Sequence, residues 1–316
     1  MKNIEEIIKP ISKEILTNEL KISIYLRPTR LGNNDVYIFS AKECPNLMQE
    51  VGRLRELTFR EAGAGFGKKV DIDDYDINEY PCKQLIVWDP ENKEIIGGYR
   101  FNMFYDLKGK QLKDIPLTNK SLYNVSDRFV SDYLPYIVEL SRAFIQPMYQ
   151  PKLAGRKAAF SLDNIWDGLG ALVIKYPFLK YYFGRLTFFS NYNSTVRDSF
   201  FYFFQKHLKG DISLLKAKEA LSLATPISYM KKKINAVDVK EDFKSLQRIA
   251  KDHNMTIPPL MKSYYNASSS LKVFEPVFDS YFGSSFAAAI MVTINDIYPS
   301  YEKRYITPYK EFINSN

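Results

Sequence analysis

Charged residues set around two strongly apolar segments are the part of the sequence that could carry out chemistry. The first segment is QLIVW, beginning at Gln84, and the second is YIVEL, ending at Leu140. The charged residues, with one aromatic beside them, are Arg55, Phe59, Asp73, Asp76, Arg100, Glu139 and Arg142. Because an unpaired charge is costly to bury in apolar surroundings, we expect these side chains to face one another or a ligand across a cleft.

The elements that must position these residues alternate between strand and helix patterns. NLMQEVGRLREL has apolar residues at helical spacing and predicts an amphipathic helix that ends near GAGFG. QLIVWD and EIIGGYRFNMF, joined by PENKE, predict a β-hairpin. Further along come strand, helix, strand, helix and a late strand: YIVELSRAFI, LDNIWDGLGALVIKY, YYFGRLTFFS, STVRDSFFYFFQKHL and AAAIMVTINDI. This order predicts an α/β fold with one central βαβ crossover.

The same sequence patterns divide the chain into four segments. We expect a helical lead-in over residues 1–45 and a core over 46–208. A Lys-rich, mostly helical insertion is expected over 209–255, and residues 256–316 are expected to complete the sheet.

The high aromatic fraction of 15% indicates either a broad apolar surface or tunnel, or simply an aromatic-rich core.

The positive charge of the chain is concentrated in one segment. The net charge is +8, and residues 150–218 contain eleven Lys or Arg against four Asp. A basic face indicates an acidic partner such as nucleic acid, anionic lipid or an acidic carrier protein. Because no nucleic-acid-binding signature accompanies the charge, we do not expect nucleic acid to be the partner.

Cysteine usage and hydropathy indicate a cytoplasmic, reduced protein. Only Cys44 and Cys82 occur, and the charged N-terminal segment lacks an apolar signal core. The longest apolar stretch, SSFAAAIMVTI, is about half of the roughly 20 residues that a membrane helix needs. We therefore expect no integral membrane segment.

Several familiar chemistries are excluded by what the sequence lacks. His207 and His253 are the only histidines, and neither has a Cys or acidic neighbour at metal-ligand spacing, so neither a zinc site nor a His-based triad is expected. GAGFGKK departs from phosphate-binding spacing and is better interpreted as a loop that ends a helix. DIDDYDIN lacks the glycine and late Glu of a calcium loop. What remains is chemistry by carboxylates, arginines and backbone amides, with no metal.

The charged residues resemble the signature of acyl-homoserine-lactone synthases, which belong to the GNAT N-acyltransferase superfamily and use acyl carrier protein. Gly65 stands where that family has an aromatic residue. The chain is more similar to the N-acyltransferases of amino-acid-lipid synthesis, which make glycine lipids and ornithine lipids and are often labelled hemolysin-like. The strings that carry this similarity, in order, are KQLIVWD, IIGGYR, VELSRAFIQPMYQ, LDNIWDGLGAL, YYFGRLTFFSNYN and IPPLMKSYYNASSSLKVFEPVFDSYFGSSFAAAIMVTIND.

The resemblance implies a GNAT-like fold, with a mixed, mostly antiparallel central sheet, a βαβ crossover and flanking helices. It implies transfer of a (3-hydroxy)fatty acyl group from acyl carrier protein to the amine of an amino acid, glycine first and ornithine next, as the first step of lipid synthesis. The co-substrate would be the phosphopantetheine thioester of acyl carrier protein, with acyl-CoA as an alternative donor and no tightly bound cofactor. Peripheral contact with an anionic inner membrane is an accompanying expectation.

The resemblance also implies roles for individual residues. Glu139, Ser141 and Arg142 are expected to be catalytic, on a strand whose divergence from its neighbour frees the backbone N–H groups of residues 140–145 for the oxyanion. Glu139 would take or relay the ammonium proton, or would instead be a structural partner of Arg100 or Arg142. Ser141 would donate to the oxyanion, or would merely cap a backbone group.

The substrate-binding set is Arg55, Phe59, Asp73, Asp76 and Arg100. The two aspartates would hold the amino-acid ammonium or lock a loop through salt bridges, and an arginine of the set could bind the substrate carboxylate.

The crossover loop is expected to receive the carrier protein. It has one glycine and three cations, Lys152, Arg156 and Lys157, which would meet phosphopantetheine and acidic carrier residues. A solvated basic loop is the alternative. For the whole protein, the alternatives are a synthase of diffusible acyl-homoserine-lactone-type signals and a non-enzymatic basic module that binds anionic membrane or nucleic acid.

Overall fold

A computed structural model describes residues 4–150, 153 and 158–315. The strands are β1 (Ile24–Pro28), β2 (Asp35–Ser40), β3 (Lys83–Asp89), β4 (Glu94–Met103), β5 (Tyr123–Val125), β6 (Ile137–Ile145), β7 (Tyr181–Phe188), β8 (Leu215–Ala217), β9 (Lys272–Asp279) and β10 (Ser285–Thr293). The helices are α1 (Lys13–Leu20), α2 (Pro45–Glu61), α3 (Asp74–Ile77), α4 (Ala158–Lys175), α5 (Ser194–His207), α6 (Ile227–Lys233), α7 (Val239–Asp252), α8 (Pro259–Ala267), α9 (Pro299–Tyr301) and α10 (Thr307–Ser315).

One eight-stranded sheet organises the molecule. Its strand order is β1-β2-β3-β4-β6-β7-β10-β9, and β5 and β8 pair separately. Neighbouring strands of the sheet are antiparallel except β6 and β7, which are parallel and are connected through α4. The predicted mixed, mostly antiparallel sheet with a βαβ crossover is therefore confirmed.

Both faces of the sheet are covered, which explains why its central strands are nearly continuous apolar runs. Leu85 and Val87 of β3 face a core shared with α4 and α5. The alternating residues Ile86 and Trp88 face a core shared with α2. A third apolar cluster lies under residues 104–134 and packs on β7, β9 and β10.

The N-terminal segment departs from its prediction. Residues 1–45 were expected to be helical, but α1 is the one described helix that lies wholly inside them, and β1 and β2 form a hairpin at the sheet edge. Gly32 and Asn33 adopt positive φ in the hairpin turn, a conformation that these two residue types tolerate. The GNN sequence is the turn signal that marks this hairpin.

The insertion departs from its prediction, whereas the C-terminal part follows it. Over 209–255 the helices α6 and α7 cover 21 of 47 residues, so this segment is not mostly helical, and the short strand β8 precedes them. Asp238 begins α7 by accepting hydrogen bonds from the backbone N–H groups of Lys240 and Glu241. Beyond it, β9 and β10 complete the sheet beside β7.

Candidate active site

The parallel strands β6 and β7 pair only at their beginnings. The last paired residues are Glu139 and Phe183, whereas β6 continues to Ile145 and β7 to Phe188. A cleft of about 230 Å³ lies where the strands diverge, and Leu140, Ser141 and Arg142 line it from β6. The edge of β6 that faces this cleft therefore has no ladder partner in β7 beyond Glu139.

A β-bulge in β6 shapes the wall of this cleft. Gly98 pairs with Phe144 and Arg100 pairs with Ser141, so two residues of β6 lie opposite the single residue Tyr99. One of the two, Arg142, has φ of 51°, which is uncommon for a residue with a side chain. The bulge places the consecutive residues 141, 142 and 143 along the cleft.

A largely buried network joins four of the five predicted substrate-binding residues. The Arg55 guanidinium lies 3.3 Å from both carboxylate oxygens of Asp76, and both side chains are completely buried. Arg100 donates to Asp76 at 3.2 Å and to Asp73 at 2.6 Å. Asp73 and Asp76 also form a reciprocal capping box at the start of α3. The expected locking of this loop by salt bridges is what the contacts show.

Arg142 extends the network toward the cleft. It donates to Asp71 at 3.0 Å and to Asp73 at 3.2 Å. Its guanidinium carbon lies 5.0 Å from the ring centre of Phe66 and 4.6 Å from that of Phe282. Two aromatic rings thus cover this cation.

Phe66 follows the position where a lactone synthase would have its aromatic residue. Gly65 itself has no room for a side chain, because a Cβ there would lie 2.8 Å from the Arg60 Cα. The GAGFG loop acts as predicted, since α2 ends at Glu61 and Gly63 follows at φ of 86°. The N–H groups of Phe66 and Gly67 donate to the Glu56 carboxylate, so this loop already binds an acidic side chain of its own chain.

Burial and the neighbouring charges shift the pKa values of the network residues in opposite directions. Burial raises the pKa of Asp76, but Arg55 and Arg100 together hold it below its ordinary value. Burial lowers the pKa of Arg55, whereas the pKa of Arg100 is raised because Asp76 and Asp73 outweigh its own burial. Burial raises the pKa of Asp71 despite the nearby Arg142.

Glu139 has a different set of partners from those expected. Its carboxylate accepts four hydrogen bonds, from the backbone N–H and hydroxyl of Thr118 and from the backbone N–H and side-chain amide of Asn119. The side chain is 1% exposed and is not among the residues that line the cleft. The structure therefore brings Glu139 to the 118–119 loop, and neither Arg100 nor Arg142 is an ion-pair partner of it.

Two other predicted residues do lie on the cleft. Phe59 packs edge-on against Phe282, with ring centres 5.1 Å apart. Ser141 accepts a hydrogen bond from Arg100 Nε at 3.0 Å, which leaves its own hydroxyl hydrogen free to donate into the cleft. Arg55, Asp73, Asp76 and Arg100 lie behind this wall and do not line the cleft themselves.

The predicted carrier-binding residues Lys152, Arg156 and Lys157 lie outside the described residues. Elsewhere in the basic segment, part of the charge is neutralised within the fold. Arg197 pairs with Asp198 at 2.8 Å, and Lys206 pairs with Asp242 at 2.7 Å.

Arg185 and Asp279 are site residues that sequence reasoning missed. They line the cleft from β7 and β9 and form an ion pair at 2.9 Å. The sequence contained a signal for Arg185. It is a single arginine within the apolar run YYFGRLTFF, just as Arg100 is a single arginine within a predicted strand. Asp279 lies too far along the chain for its pairing to be inferred from sequence spacing.

The described residues contain neither a candidate metal site nor a helix that could cross a membrane. No cluster of three or more His, Cys, Asp or Glu side chains that could hold a metal occurs in residues 4–150, 153 and 158–315. Over the same residues, no helix has the length and apolar character needed to cross a membrane.

Comparison with known proteins identifies relatives over nearly the whole chain. Residues 54–156 match the acetyltransferase (GNAT) domain family. A glycine N(alpha)-acyltransferase of Bacteroides thetaiotaomicron is 39% identical over 97% of this chain and 91% of its own length. The protein of the same name in Phocaeicola vulgatus is 40% identical over 96% of this chain and 93% of its own length. No solved structure matches. This chain therefore belongs to the GNAT N-acyltransferase family that contains these two proteins.

Proposed function

We propose that this acyltransferase moves a fatty acyl group from the thioester of acyl carrier protein to the amine of glycine, as the first step in making an amino-acid lipid. The observation that carries the proposal is the open divergence of β6 and β7, which has an apolar wall and a cationic end. The names of the two relatives support glycine as the acceptor.

The apolar wall suits a long acyl chain better than an acetyl group. Its side chains come from β6, β7 and the start of α8, and they include Leu140, Leu186, Phe188, Leu260 and Met261. Burial of apolar surface contributes about 0.8 kcal/mol for each CH₂ group. A chain of a dozen or more carbons would therefore dominate the affinity for the donor.

The aromatic side chains of α5 are packed in the core and do not line the cleft. Phe200, Phe201, Phe203 and Phe204 of α5 are at most 1% exposed and belong to the main apolar cluster. Of the two interpretations of the high aromatic fraction, an aromatic-rich core accounts for these four side chains. Phe188 and Phe189, at the end of β7, are the aromatics of that region that reach the cleft.

The reaction requires a donor to the oxyanion that forms when the amine attacks the thioester. In this step the C–N bond forms, the C–S bond breaks, the attacking nitrogen loses a proton, and the released thiolate takes one up. The unpaired edge of β6 and the Ser141 hydroxyl are the groups positioned to donate hydrogen bonds to the thioester oxygen. Arg100 orients Ser141 by occupying one lone pair of its oxygen.

The carrier-protein donor rests on the chemistry of the crossover segment and on the resemblance. Residues 150–218 carry a local excess of positive charge, and acyl carrier proteins are acidic. The proposal also includes 3-hydroxylation of the acyl chain and peripheral contact with an anionic membrane, as the resemblance implies.

Mass spectrometry of reaction products tests the proposal directly. Purified protein is mixed with 3-hydroxypalmitoyl carrier protein and an equimolar pool of amino acids, and parallel reactions contain palmitoyl carrier protein or 3-hydroxypalmitoyl-CoA. We expect N-(3-hydroxypalmitoyl)glycine as the main product, with the carrier-protein donor preferred over the CoA thioester.

Different failures would overturn different parts of the proposal. A main product with ornithine would correct the acceptor. Equal rates with carrier protein and CoA would remove the carrier-protein preference. Absence of any amide product with a protein that is folded by circular dichroism would overturn the proposed function.

A further inference from the structure

We propose that Arg185 binds the carboxylate of the acceptor amino acid, and that Asp279 positions Arg185 for this role. The inference deepens the proposed function and rests on it. An enzyme that acylates the amine of glycine must also recognise its carboxylate, since that group distinguishes the amino acid from simple amines. Recognition of a carboxylate in a partly buried site requires a cation with free donors.

The cleft has two arginines among its described lining residues, and they differ in the donors they have left. Arg142 uses its Nε on Asp71 and one terminal nitrogen on Asp73, and its guanidinium lies between two aromatic rings. Arg185 uses a single terminal nitrogen, which donates to Asp279 at 2.9 Å. Its Nε and second terminal nitrogen make no hydrogen bond to the part of the chain that the structure describes. Those two donors are the pair that binds a carboxylate in bidentate fashion.

The exposed fractions of the arginine side chains also favour Arg185 as the carboxylate-binding residue. The Arg185 side chain is 16% exposed, whereas that of Arg142 is 8% exposed. Arg55 and Arg100, the arginines considered from sequence, are at most 2% exposed and do not line the cleft. Arg185 is thus the cation that a ligand in the cleft can reach with the smallest change in existing contacts.

Asp279 is held so that it can position Arg185. One of its carboxylate oxygens accepts hydrogen bonds from the backbone N–H groups of Tyr281 and Phe282, and the other oxygen accepts from Arg185. The turn after β9 therefore fixes the carboxylate, and the carboxylate fixes one end of the guanidinium. A positioned arginine loses less side-chain entropy when it binds its ligand.

The location of Arg185 relative to the oxyanion donors fits a small acceptor. Arg185 lies on β7 and Ser141 lies on β6, and both line the same cleft where the two strands diverge. Phe59 and Phe282 also line this cleft and contact one another, which restricts its width. Glycine has one carbon between its amine and its carboxylate, so a carboxylate on Arg185 would keep the amine within the same small space.

A comparison of glycine with glycinamide tests the inference. Glycinamide keeps the amine and replaces the carboxylate with a neutral amide. For the wild-type protein we expect kcat/KM to be much higher for glycine than for glycinamide. In Arg185→Gln we expect kcat/KM for glycine to fall on the order of 50-fold, mainly through KM, with that for glycinamide changed less than threefold. Because both amines are tested on both proteins, their intrinsic reactivities cancel in the ratio.

Two further variants separate binding from folding. Arg197→Gln removes a more deeply buried arginine that pairs with Asp198 outside the cleft, and it should leave the glycine-to-glycinamide ratio unchanged. If Arg185→Gln does not fold because Asp279 is left unpaired, the double variant Arg185→Gln with Asp279→Asn removes both charges and is expected to show the same collapse of the ratio.

The outcomes distinguish this inference from the proposed function. A wild-type protein that forms no glycine amide overturns the proposed function and the inference with it. An active wild type whose glycine-to-glycinamide ratio persists in a folded Arg185 variant overturns the inference alone. Loss of activity toward both amines to the same extent would also overturn it, because Arg185 would then act on the donor or on the fold.

Discussion

At the scale of single residues, Glu139 shows how a carboxylate in an apolar strand can serve the fold. Its two oxygens receive four hydrogen bonds from two consecutive residues, Thr118 and Asn119. Such a set satisfies a buried charge without an arginine partner. The observed contacts predict that replacing Glu139 mainly reduces stability, whereas a general-base role predicts that it mainly reduces turnover.

Glu139→Gln should mainly reduce stability. The amide nitrogen would replace an oxygen that accepts a hydrogen bond, so at least one buried donor would lose its acceptor, and we expect a loss of about 2 kcal/mol in the free energy of unfolding. Urea unfolding measures this loss. Glu275→Gln is a suitable control. Glu275 lies on the edge strand β9 and its carboxylate accepts a single hydrogen bond, from the backbone N–H of Ala217. A stable variant with turnover reduced by orders of magnitude would instead support the general-base hypothesis.

Asp76→Asn should be more damaging, because Asp76 neutralises two buried arginines. Removing one partner of a buried ion pair costs about 3–5 kcal/mol, and the neutral amide would leave Arg55 and Arg100 short of negative charge. Thermal or urea unfolding at neutral pH measures the effect. Asp74→Asn, on the exposed side of the same short helix, is the matched control and should change stability by less than about 0.5 kcal/mol.

Asp76 also leads to a prediction for the stability of the protein at acidic pH. The pKa of Asp76 in the folded protein is held below its ordinary value, so its ionised form stabilises the fold above that ordinary value. This contribution is lost as the pH falls from about 4 through the lowered pKa. Asp71 changes the pH dependence of stability in the opposite sense, because burial raises its pKa. Unfolding followed between pH 5 and pH 2 should therefore show a shallower decline for Asp76→Asn than for the wild type, and parallel curves would contradict this.

At the scale of elements, the bulge in β6 and the glycine pair in β4 act together. Gly97 and Gly98 pair with Ile145 and Phe144, directly beside the bulge in β6, where the strands pack closely. A Cβ at position 97 would lie 2.3 Å from the Phe144 carbonyl oxygen. The small residues of the GGYR string thus allow β6 to bend away from β7 while remaining paired with β4.

Gly97→Ala should therefore disturb the sheet at the cleft. Because the clash is with backbone, we expect a loss of about 2–3 kcal/mol in unfolding free energy together with reduced acyl transfer. Gly109→Ala is the control that separates crowding from backbone conformation. Gly109 has positive φ but open space around it, so its substitution should cost about 1 kcal/mol and leave transfer intact. Equal effects of the two substitutions would contradict the packing argument.

At the scale of the whole molecule, the C-terminal part is inseparable from the site. In the sheet, β10 lies between β7 and β9, and α8 contributes Leu260, Met261 and Tyr264 to the cleft. Residues of β9 and β10 also belong to two of the three apolar clusters. We therefore predict that residues 46–208 do not form a complete folding unit without the C-terminal part.

A chain ending at residue 208 should fail to fold. It would expose the edge of β7 and the apolar surfaces that β9, β10 and α8 cover, and an exposed apolar strand edge favours aggregation. Expression of residues 1–208 beside the full chain, followed by gel filtration and circular dichroism, checks this expectation. A soluble monomer with a cooperative unfolding transition would show that the first 208 residues are an independent domain.

The sequence by itself determined much of the central architecture. The hairpin of β3 and β4, the strand β6, the crossover helix α4 and the strand β7 all follow from local periodicity, because each is long and strongly patterned. The hairpin of β1 and β2 was missed because its strands are short and lie at the sheet edge. Local pattern carries little information about such edges.

Only the tertiary structure decided which charged residues share a cleft. Sequence placed Arg55, Asp76 and Arg100 together correctly, since charges buried in apolar surroundings must pair. It could not assign Glu139 to the 118–119 loop or pair Arg185 with Asp279, which lie 94 positions apart. Those pairings depend on where long loops return to the sheet and on which strands diverge. Both are set by packing between elements distant in sequence, so residue types alone do not reveal them.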